Sequence, residues 1–386
     1  MQKNIFLLCL ILAVIFSGCG KKAKEQQVQV EVIEGVRHIM NPVTPLRGSV
    51  SLELEKKLEI NPYKYEDFDL RGFNAVKDKD GEIILFDIND SKAQRFTKNG
   101  GYIGSFFRQG QGPGEFVPMR LLYVRFMNGQ IWVTGDYKLA KFDKQGQFID
   151  QFSLGDFISF FVDEGCYITE KRTRMEKDTH KQIIIKNIKE TNKIEEGPVL
   201  MEGRNLGMIR LLRGGFSDGW GTPGIEFAVD RMEKKIYVAM KTEYKIHVKN
   251  QEGQSLYVIE KPYIPIKLSS KDKETMLESF FQHLSDRKQL YINAYPDELM
   301  AIKKMKVLPK GYLAVYRISG LKKYVIDIFD GSGKYVYMIE QPENYPIDGA
   351  DFYDFGFTTV ETVDDFPVYV EYWIKNLPEI FSVSSD

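Results

Sequence analysis

Short apolar runs broken by tight polar turns recur along this chain. Five of them are Gly81-Glu82-Ile83-Ile84-Leu85, Gly129-Gln130-Ile131-Trp132-Val133, Gly165-Cys166-Tyr167-Ile168, Lys235-Ile236-Tyr237-Val238 and Gly311-Tyr312-Leu313-Ala314-Val315. Runs of this length, rich in β-branched and aromatic residues and bounded by Gly, Asn and Asp, read as strands. Turns then follow in phase: Lys98-Asn99-Gly100-Gly101, Asp143-Lys144-Gln145-Gly146, Lys189-Glu190-Thr191-Asn192, Asn250-Gln251-Glu252-Gly253 and Asp330-Gly331-Ser332-Gly333. Gly and Asn supply the positive φ that tight hairpins demand. With Gly100, Gly146, Asn192, Gly253 and Gly333 as markers, the spacings are 46, 46, 61 and 80 residues. The first two are regular, and the later two read as the same unit carrying insertions.

Each unit is therefore strand, strand, hairpin, strand. A phased repeat of roughly 40–50 residues with that content is the sequence signature of propeller blades. A sandwich would also show short strands and turns, but not a long phased repeat. Five units are readable. A sixth combines Val368 to Trp373 with an N-terminal strand near Ser51 to Leu58, so that one strand from each end closes the ring and few edges stay open. The expected fold is all-β, a six-bladed β-propeller with one inserted helix.

Two insertions interrupt the repeat. Met201 to Gly221 is rich in Gly and Arg and holds Arg204, Arg210, Arg213 and Trp220. Ser269 to Leu290 reads as a helix: Ser269 and Asp272 fit a capping box, and Met276, Leu277, Phe280, Phe281 and Leu284 share one face. That stripe either packs on a rim of the ring or serves as a lid or docking element. Insertions in ring folds map to loops, often on the binding face. Arg204, Arg210, Arg213, Trp220, Phe280 and Phe281 are accordingly the candidate recognition surface.

The N-terminus carries a different pattern. Lys3 precedes an uncharged apolar run from Ile5 to Phe16, then Phe16-Ser17-Gly18-Cys19 and a polar stretch. The run is shorter than the ~20 apolar residues a membrane span needs and has the order of a secretory signal peptide. The Cys after small residues resembles the lipobox of bacterial lipoproteins, with Phe16 standing where Leu is usual. That resemblance implies acylation of Cys19, removal of residues 1–18 and permanent anchoring, because several acyl chains contribute ~0.8 kcal/mol per buried CH₂. Residues 19–49, Lys-, Gln- and Glu-bearing and then holding Pro42 and Pro45, read as a tether. Residues 50–386 are left for the propeller.

Gly104-Ser105-Phe106-Phe107-Arg108-Gln109-Gly110-Gln111-Gly112-Pro113-Gly114-Glu115-Phe116, followed by Pro118, Gly129 to Val133, Asp136 and Gly146, resembles an NHL-type repeat. Thr222-Pro223-Gly224-Ile225-Glu226-Phe227 repeats its middle. Together with the signal segment, the chain is similar to the six-bladed propeller lipoproteins of Bacteroidota and related Gram-negative bacteria. The resemblance implies a cell-envelope location, lipid-anchored at the outer membrane, and a binding role. It implies no reaction.

The remaining chemistry narrows the function. Lys and Arg number 53, Asp and Glu 54, for a net charge of −1, so no overall field draws in nucleic acid. The aromatic share of 13% agrees with a strand-rich fold. Cys166 is the lone cysteine of the mature domain and reads as a small core residue. The segment Gly110, Gly112, Gly114, Phe116 lacks the Lys-Ser/Thr of a phosphate loop and has Pro118 behind it, so it reads as a crossover between blades. His38, His180, His247 and His283 stand apart, without metal-ligand spacing, and no cofactor is expected. Asp348, Asp351 and Asp354 recur at intervals of three, which suits solvated turns better than a calcium loop. The expectation is a non-catalytic module that binds a protein, peptide or glycan. The alternative is a propeller hydrolase or lyase acting on glycans or peptides, which fold analogy alone would suggest.

Overall fold

The computed structural model describes residues 27–65 and 73–376 apart from interruptions at 79, 88–91, 107, 118–120, 136, 155–157, 175–178, 189–192, 206–223, 282–288, 290–291, 294, 322, 341–350 and 354–355. Six antiparallel sheets follow one another as blades I to VI. Blade I is Asn74–Lys77, Ile83–Asp87, Lys92–Phe96 and Tyr102–Phe106. Blade II is Leu121–Met127, Gln130–Gly135, Lys138–Phe142 and Phe148–Ser153. Blade III is Ile158–Asp163, Cys166–Arg174, Thr179–Ile188 and Ile194–Asn205. Blade IV begins with Ile225–Asp230, Lys235–Met240, Lys245–Lys249 and Ser255–Glu260. Blade V has Ile302–Val307, Leu313–Gly320, Lys323–Phe329 and Tyr335–Glu340. Blade VI has Asp351–Tyr353, Gly356–Val363 and Phe366–Ile374, and its outer strand is Leu54–Ile60.

The ring closes as expected. Leu54–Ile60 pairs antiparallel with Phe366–Ile374, from Ile60 opposite Tyr369 to Leu54 opposite Ile374. The rest of the N-terminal segment departs from the expectation of a tether. Gln29–Ile33 and Val36–Met40 form a hairpin through Glu34 and Gly35, both at positive φ. Its second strand pairs in parallel with Ser255–Glu260, which gives blade IV six strands. Ser49–Val50 then pairs in parallel with the outer strand of blade V. The chain thus runs round the outside of blades IV, V and VI before it begins blade I. Backbone donors on an outer strand need partners, and the strict alternation of Val28, Val30 and Val32 with Gln27, Gln29 and Glu31 supplies an edge strand where the polar composition suggested a linker.

A hydrophobic cluster fills each of the six seams between neighbouring blades. Ile83, Leu85 and Phe96 of blade I meet Ile60 and Tyr369 of blade VI, and Val124, Ile131 and Phe142 of blade II meet Ile84, Phe86 and Phe106 of blade I. Trp132 and Leu139 meet Phe161 and Tyr167. Cys166, Ile183 and Ile185 meet Ile225 and Ile236. Tyr237, Ile246 and Ile259 meet Leu313 and Phe329, while Ala314, Tyr316 and Ile326 meet Phe357 and Val370. Both faces of the second strand of a blade are therefore buried, which explains unbroken apolar runs such as Ile83 to Phe86.

The hairpin turns lock these seams. Asp143 Oδ1 accepts from Gln147 N at 2.8 Å, Asn250 Oδ1 from Gln254 N at 2.8 Å and Asp330 Oδ1 from Lys334 N at 3.0 Å. The glycine of each turn lies against the outer strands of the preceding blade. A Cβ at Gly100 would meet Leu58 at 3.0 Å, at Gly146 Phe106 at 2.8 Å, at Gly253 Pro198 at 2.7 Å and at Gly333 Ile39 at 2.9 Å. Asn192 of the third unit lies outside the described residues.

Candidate ligand-binding site

The segment from Arg108 to Phe116 links the outer strand of blade I to the inner strand of blade II. Arg108–Gln109 pairs in parallel with Glu115–Phe116, Gly110 N donates to Phe116 O at 3.1 Å, and Gly112 N donates to Glu115 Oε2 at 2.9 Å. Phe116 is fully buried in the seam cluster. Gly114 sits at φ 72° with Phe148 only 2.7 Å from where its Cβ would be, which leaves room for nothing larger. Its amide donates to Gln151 Oε1 at 3.0 Å, and the Lys138 ammonium lies 4.8 Å from the Phe116 ring. The glycine-rich segment is a crossover, as its sequence indicates.

Both insertions occupy equivalent connections, from the outer strand of one blade to the inner strand of the next: 206–223 joins blade III to IV and 261–301 joins blade IV to V. The connection at 261–301 is thus the counterpart of the one that carries Arg108 to Phe116, while 206–223 lies outside the described residues. Arg210, Arg213 and Trp220 lie outside the described residues, as does Cys19. Arg204 falls in the outer strand of blade III, its backbone opposite His180. The helix α1 is Ser270–Phe281 and contains Phe280 and Phe281. It starts with the capping box expected: Asp272 Oδ2 accepts from Ser269 N at 2.9 Å and from Ser269 Oγ at 2.6 Å. Its first turn is pinned by buried Lys273, which donates to Tyr295 O at 2.9 Å and to Asp297 Oδ1 at 2.6 Å. Cys166 is buried in the seam of blades III and IV, and that burial pushes its thiol up to about 12, so it is not a nucleophile at neutral pH.

The described residues bring a different cluster together. Inner strands line the centre of the ring, and over the inner strand of blade III two guanidinium groups converge from the blades on either side. Arg125 of blade II places its Cζ 4.4 Å from the centre of the Tyr123 ring and 5.7 Å from that of Phe160. Arg231, just past the inner strand of blade IV, places its Cζ 5.1 Å from Phe160 and donates from Nη2 to Phe161 O at 3.2 Å. Arg125 Nε also donates to the Tyr123 hydroxyl. Tyr123, Phe160 and Phe227 extend the aromatic floor, with ring centres 6.1 Å apart for the first pair and 6.3 Å for the second. Solvent reaches Arg231, yet protein crowds it closely. Burial first, and then the Arg125 charge, pull it below the ordinary guanidinium range against the opposing effect of Tyr123. Among the described residues no carboxylate pairs with Arg231. Asp230 turns away, its Oδ1 accepting from Met232 N at 3.0 Å and Glu233 N at 3.1 Å. Asp163, at the foot of blade III, is taken by Gln251 Nε2 at 2.8 Å and Gly165 N at 2.9 Å.

Sequence reasoning did not single out these residues. The available signal was Arg125 itself, a charge within the apolar strand Leu121 to Met127. Its convergence with Arg231 is a property of the ring and not of any local motif.

Residues 65–202, a little over a third of the chain, match the DUF5128 family model, described as a 6-bladed beta-propeller. The chain is a six-bladed β-propeller. The traced blades extend that architecture from Gln29 to Ile374. Solved structures of similar shape include a DUF4221 family member from Bacteroides vulgatus ATCC 8482, at 10% identity and a TM-score of 0.49, covering 91% of this chain and 99% of that one. An exported-protein candidate from Bacteroides fragilis NCTC 9343 matches at 10% identity and 0.46, over 88% and 99%. Virginiamycin B lyase from Staphylococcus aureus matches at 10% and 0.39, over 83% and 99%. No curated protein matches the sequence significantly. No helix among the described residues of this propeller is long and apolar enough to cross a membrane, which says nothing of a β-barrel.

Proposed function

We propose that the chain is a lipid-anchored, non-catalytic propeller of the cell envelope that binds a protein, peptide or glycan ligand on its ring. The observation that carries this reading is the convergence of Arg125 and Arg231 over Phe160. Two guanidinium groups beside the Tyr123 and Phe160 rings offer charge and apolar surface together, which suits recognition. Exposed polar groups on an aromatic floor, held by rigid strands, make the arrangement expected of a preorganised site. The lipid anchor is supported by the sequence Phe16-Ser17-Gly18-Cys19 behind its apolar run.

Chemical cross-linking of the full-length lipoprotein in its native envelope tests this reading, with Cys19→Ala as the control for anchoring. A stoichiometric protein or glycan partner recovered with the wild-type chain supports a binding module. Turnover of a captured glycan or peptide, abolished by a point substitution in a chain that still folds, would replace it with a hydrolase or lyase.

A further inference from the structure

We propose that the chain pairs with a second copy of itself through the edge strand Gln29–Ile33, antiparallel and with Val30 on the two-fold axis. This goes beyond the ligand-binding reading and does not rest on it.

Every blade ends in an outer strand, and a free outer strand invites pairing unless it is blunted. Among the described residues, five of the six are blunted. Blade V ends in the two-residue strand Ser49–Val50. Leu54–Ile60 of blade VI carries Lys56 and Lys57 and a register shift. Tyr102–Phe106 of blade I holds Gly104, and Phe148–Ser153 of blade II holds Asp150, each with a register shift against its neighbour. Ile194–Asn205 of blade III contains Gly197 and Pro198. Gln29–Ile33 of blade IV has no Pro, Gly, Lys or register shift. It is exposed along its whole length, with Val30 at 57% and Val32 at 68%.

The register of the pairing follows from the hairpin. Its turn, Glu34 at φ 51° and Gly35 at φ 80°, makes Ile33 and Val36 a hydrogen-bonded pair. Antiparallel alternation then points the backbone groups of Val30 and Val32 outward. Asn41 keeps the same parity on the other side of the hairpin, its N donating to Glu260 O at 2.8 Å. With Val30 on the axis, Val30 bonds its own counterpart and Val32 bonds Val28 of the second copy. Val28 packs on the seam of blades IV and V, so the exposed valines extend an existing apolar cluster. Gln29 then stands opposite Glu31, whereas an axis at Glu31 would set like charges directly opposite each other. Lys21, Lys22 and Lys24 precede the strand in sequence and Glu31 and Glu34 close it, so antiparallel copies oppose unlike charge at both ends.

Oxidation of the full-length chain carrying Val30→Cys, in detergent, tests the proposal, with the covalent dimer read on a non-reducing gel. The Cα atoms of a hydrogen-bonded antiparallel pair stand about 5.5 Å apart, within disulfide reach. The wild-type chain sets the background from its own cysteines. Val199→Cys, 42% exposed on the outer strand of blade III, sets that of chance collision. Val30→Cys is expected to cross-link about tenfold faster than Val199→Cys or more, because a pair held in register reacts at its effective concentration. Val32→Pro, added to Val30→Cys, removes an outward N–H and spares the inner ladder, so the dimer should be lost and the melting transition kept. Equal rates for Val30→Cys and Val199→Cys, or an undiminished dimer with Val32→Pro, overturn the proposal. Cross-linking of Val30→Cys to a different protein in the native envelope, in place of a second copy, also overturns it.

Discussion

Lys261, at the end of blade IV, donates to Asp327 of blade V across 2.7 Å, with both side chains almost wholly buried. Arg317 Nε adds a second cation at 2.8 Å, and the Tyr244 and Tyr335 hydroxyls complete the shell at 2.7 Å each. The Lys261 ammonium also lies 4.0 Å from the centre of the Tyr335 ring. Burial alone would raise the Asp327 pKa, but the Lys261 and Arg317 charges and their hydrogen bonds overcome it and hold the carboxyl below its usual range. Lys261 shares its anion with Arg317 and carries the larger burial cost, so its own pKa is lowered. The network staples two blades, and removing its anion would leave two partly desolvated cations facing each other.

Asp327→Asn is therefore expected to cost about 3–5 kcal/mol, as for a broken buried ion pair, read as a lower urea midpoint at neutral pH. The pH dependence carries the same sign. A carboxyl with a depressed folded pKa stabilises the fold above its unfolded pKa, near 3.9 for Asp, and that contribution is lost as pH falls through the folded value. The wild-type acid transition should accordingly steepen below pH ~4, and the loss should be shallower in Asp327→Asn. Equal acid profiles would mean that Asp327 is not held in its charged form.

Gly146→Ala tests the turn packing. The residue sits at φ 82°, where an L side chain is strained, and the added Cβ would stand 2.8 Å from Phe106 Cβ of blade I. Both effects act in the folded state, and a destabilisation of about 1–3 kcal/mol is expected. Phe106→Gly in the same chain removes the opposing Cβ but not the φ strain, so Gly146→Ala should cost less in that background than in the wild-type chain without becoming neutral. Thermal melts of the four chains check this.

Much of this fold was legible in the sequence for a physical reason. The second strands of the blades are buried on both sides, as in Ile83–Asp87 and Gln130–Gly135, and the turns at 100, 146, 253 and 333 each place Gly at positive φ, so strand and turn announce themselves locally and in phase. The capping box of α1 is equally local, since Ser269 and Asp272 are three residues apart. The hairpin from Gln29 to Met40 is hard to read because its edge strand, Gln29–Ile33, is exposed along its whole length and resembles a polar tether by composition. Its alternation, Gln-Val-Gln-Val-Glu-Val, is the period of a strand. The Arg125–Arg231 site was not legible at all. Its members come from strands on two blades, and only the ring brings them over Phe160.

The paired hairpin makes its own prediction. Asn41, next in the chain, accepts from Tyr335 N at 2.7 Å and donates to Gly333 O at 3.0 Å, and it is buried. Ile39 is buried in the seam of blades IV and V, and His38 contacts Glu260 at 2.6 Å. Asn41→Ala would strand a backbone donor and acceptor and should cost about 1–3 kcal/mol. Truncation before Pro45 should lower the melting transition further, because it also strips an outer strand from blade IV. A tether would contribute nothing, so an unchanged melt in the truncated chain would return residues 27–44 to that role.

The last prediction separates the Arg125–Arg231 pair from a structural clamp. Like charges held over one ring repel, and solvent screening keeps the effect small, of order 0–1 kcal/mol. Without ligand, Arg231→Gln should thus be neutral or slightly stabilising, despite losing the donation to Phe161 O and some packing of the side-chain stem on Phe160. Arg125→Gln should relieve the same repulsion, so the gains should not add in the double variant: once either charge is gone, removing the other relieves nothing. Salt gives an independent reading. Chloride screens the repulsion, so the wild-type melting temperature should rise with salt more than that of Arg231→Gln. A clamp would behave oppositely, with Arg231→Gln losing about 2 kcal/mol or more and showing the same salt response as the wild type. The sign of the double-mutant coupling therefore decides whether these two arginines serve the ring or a ligand.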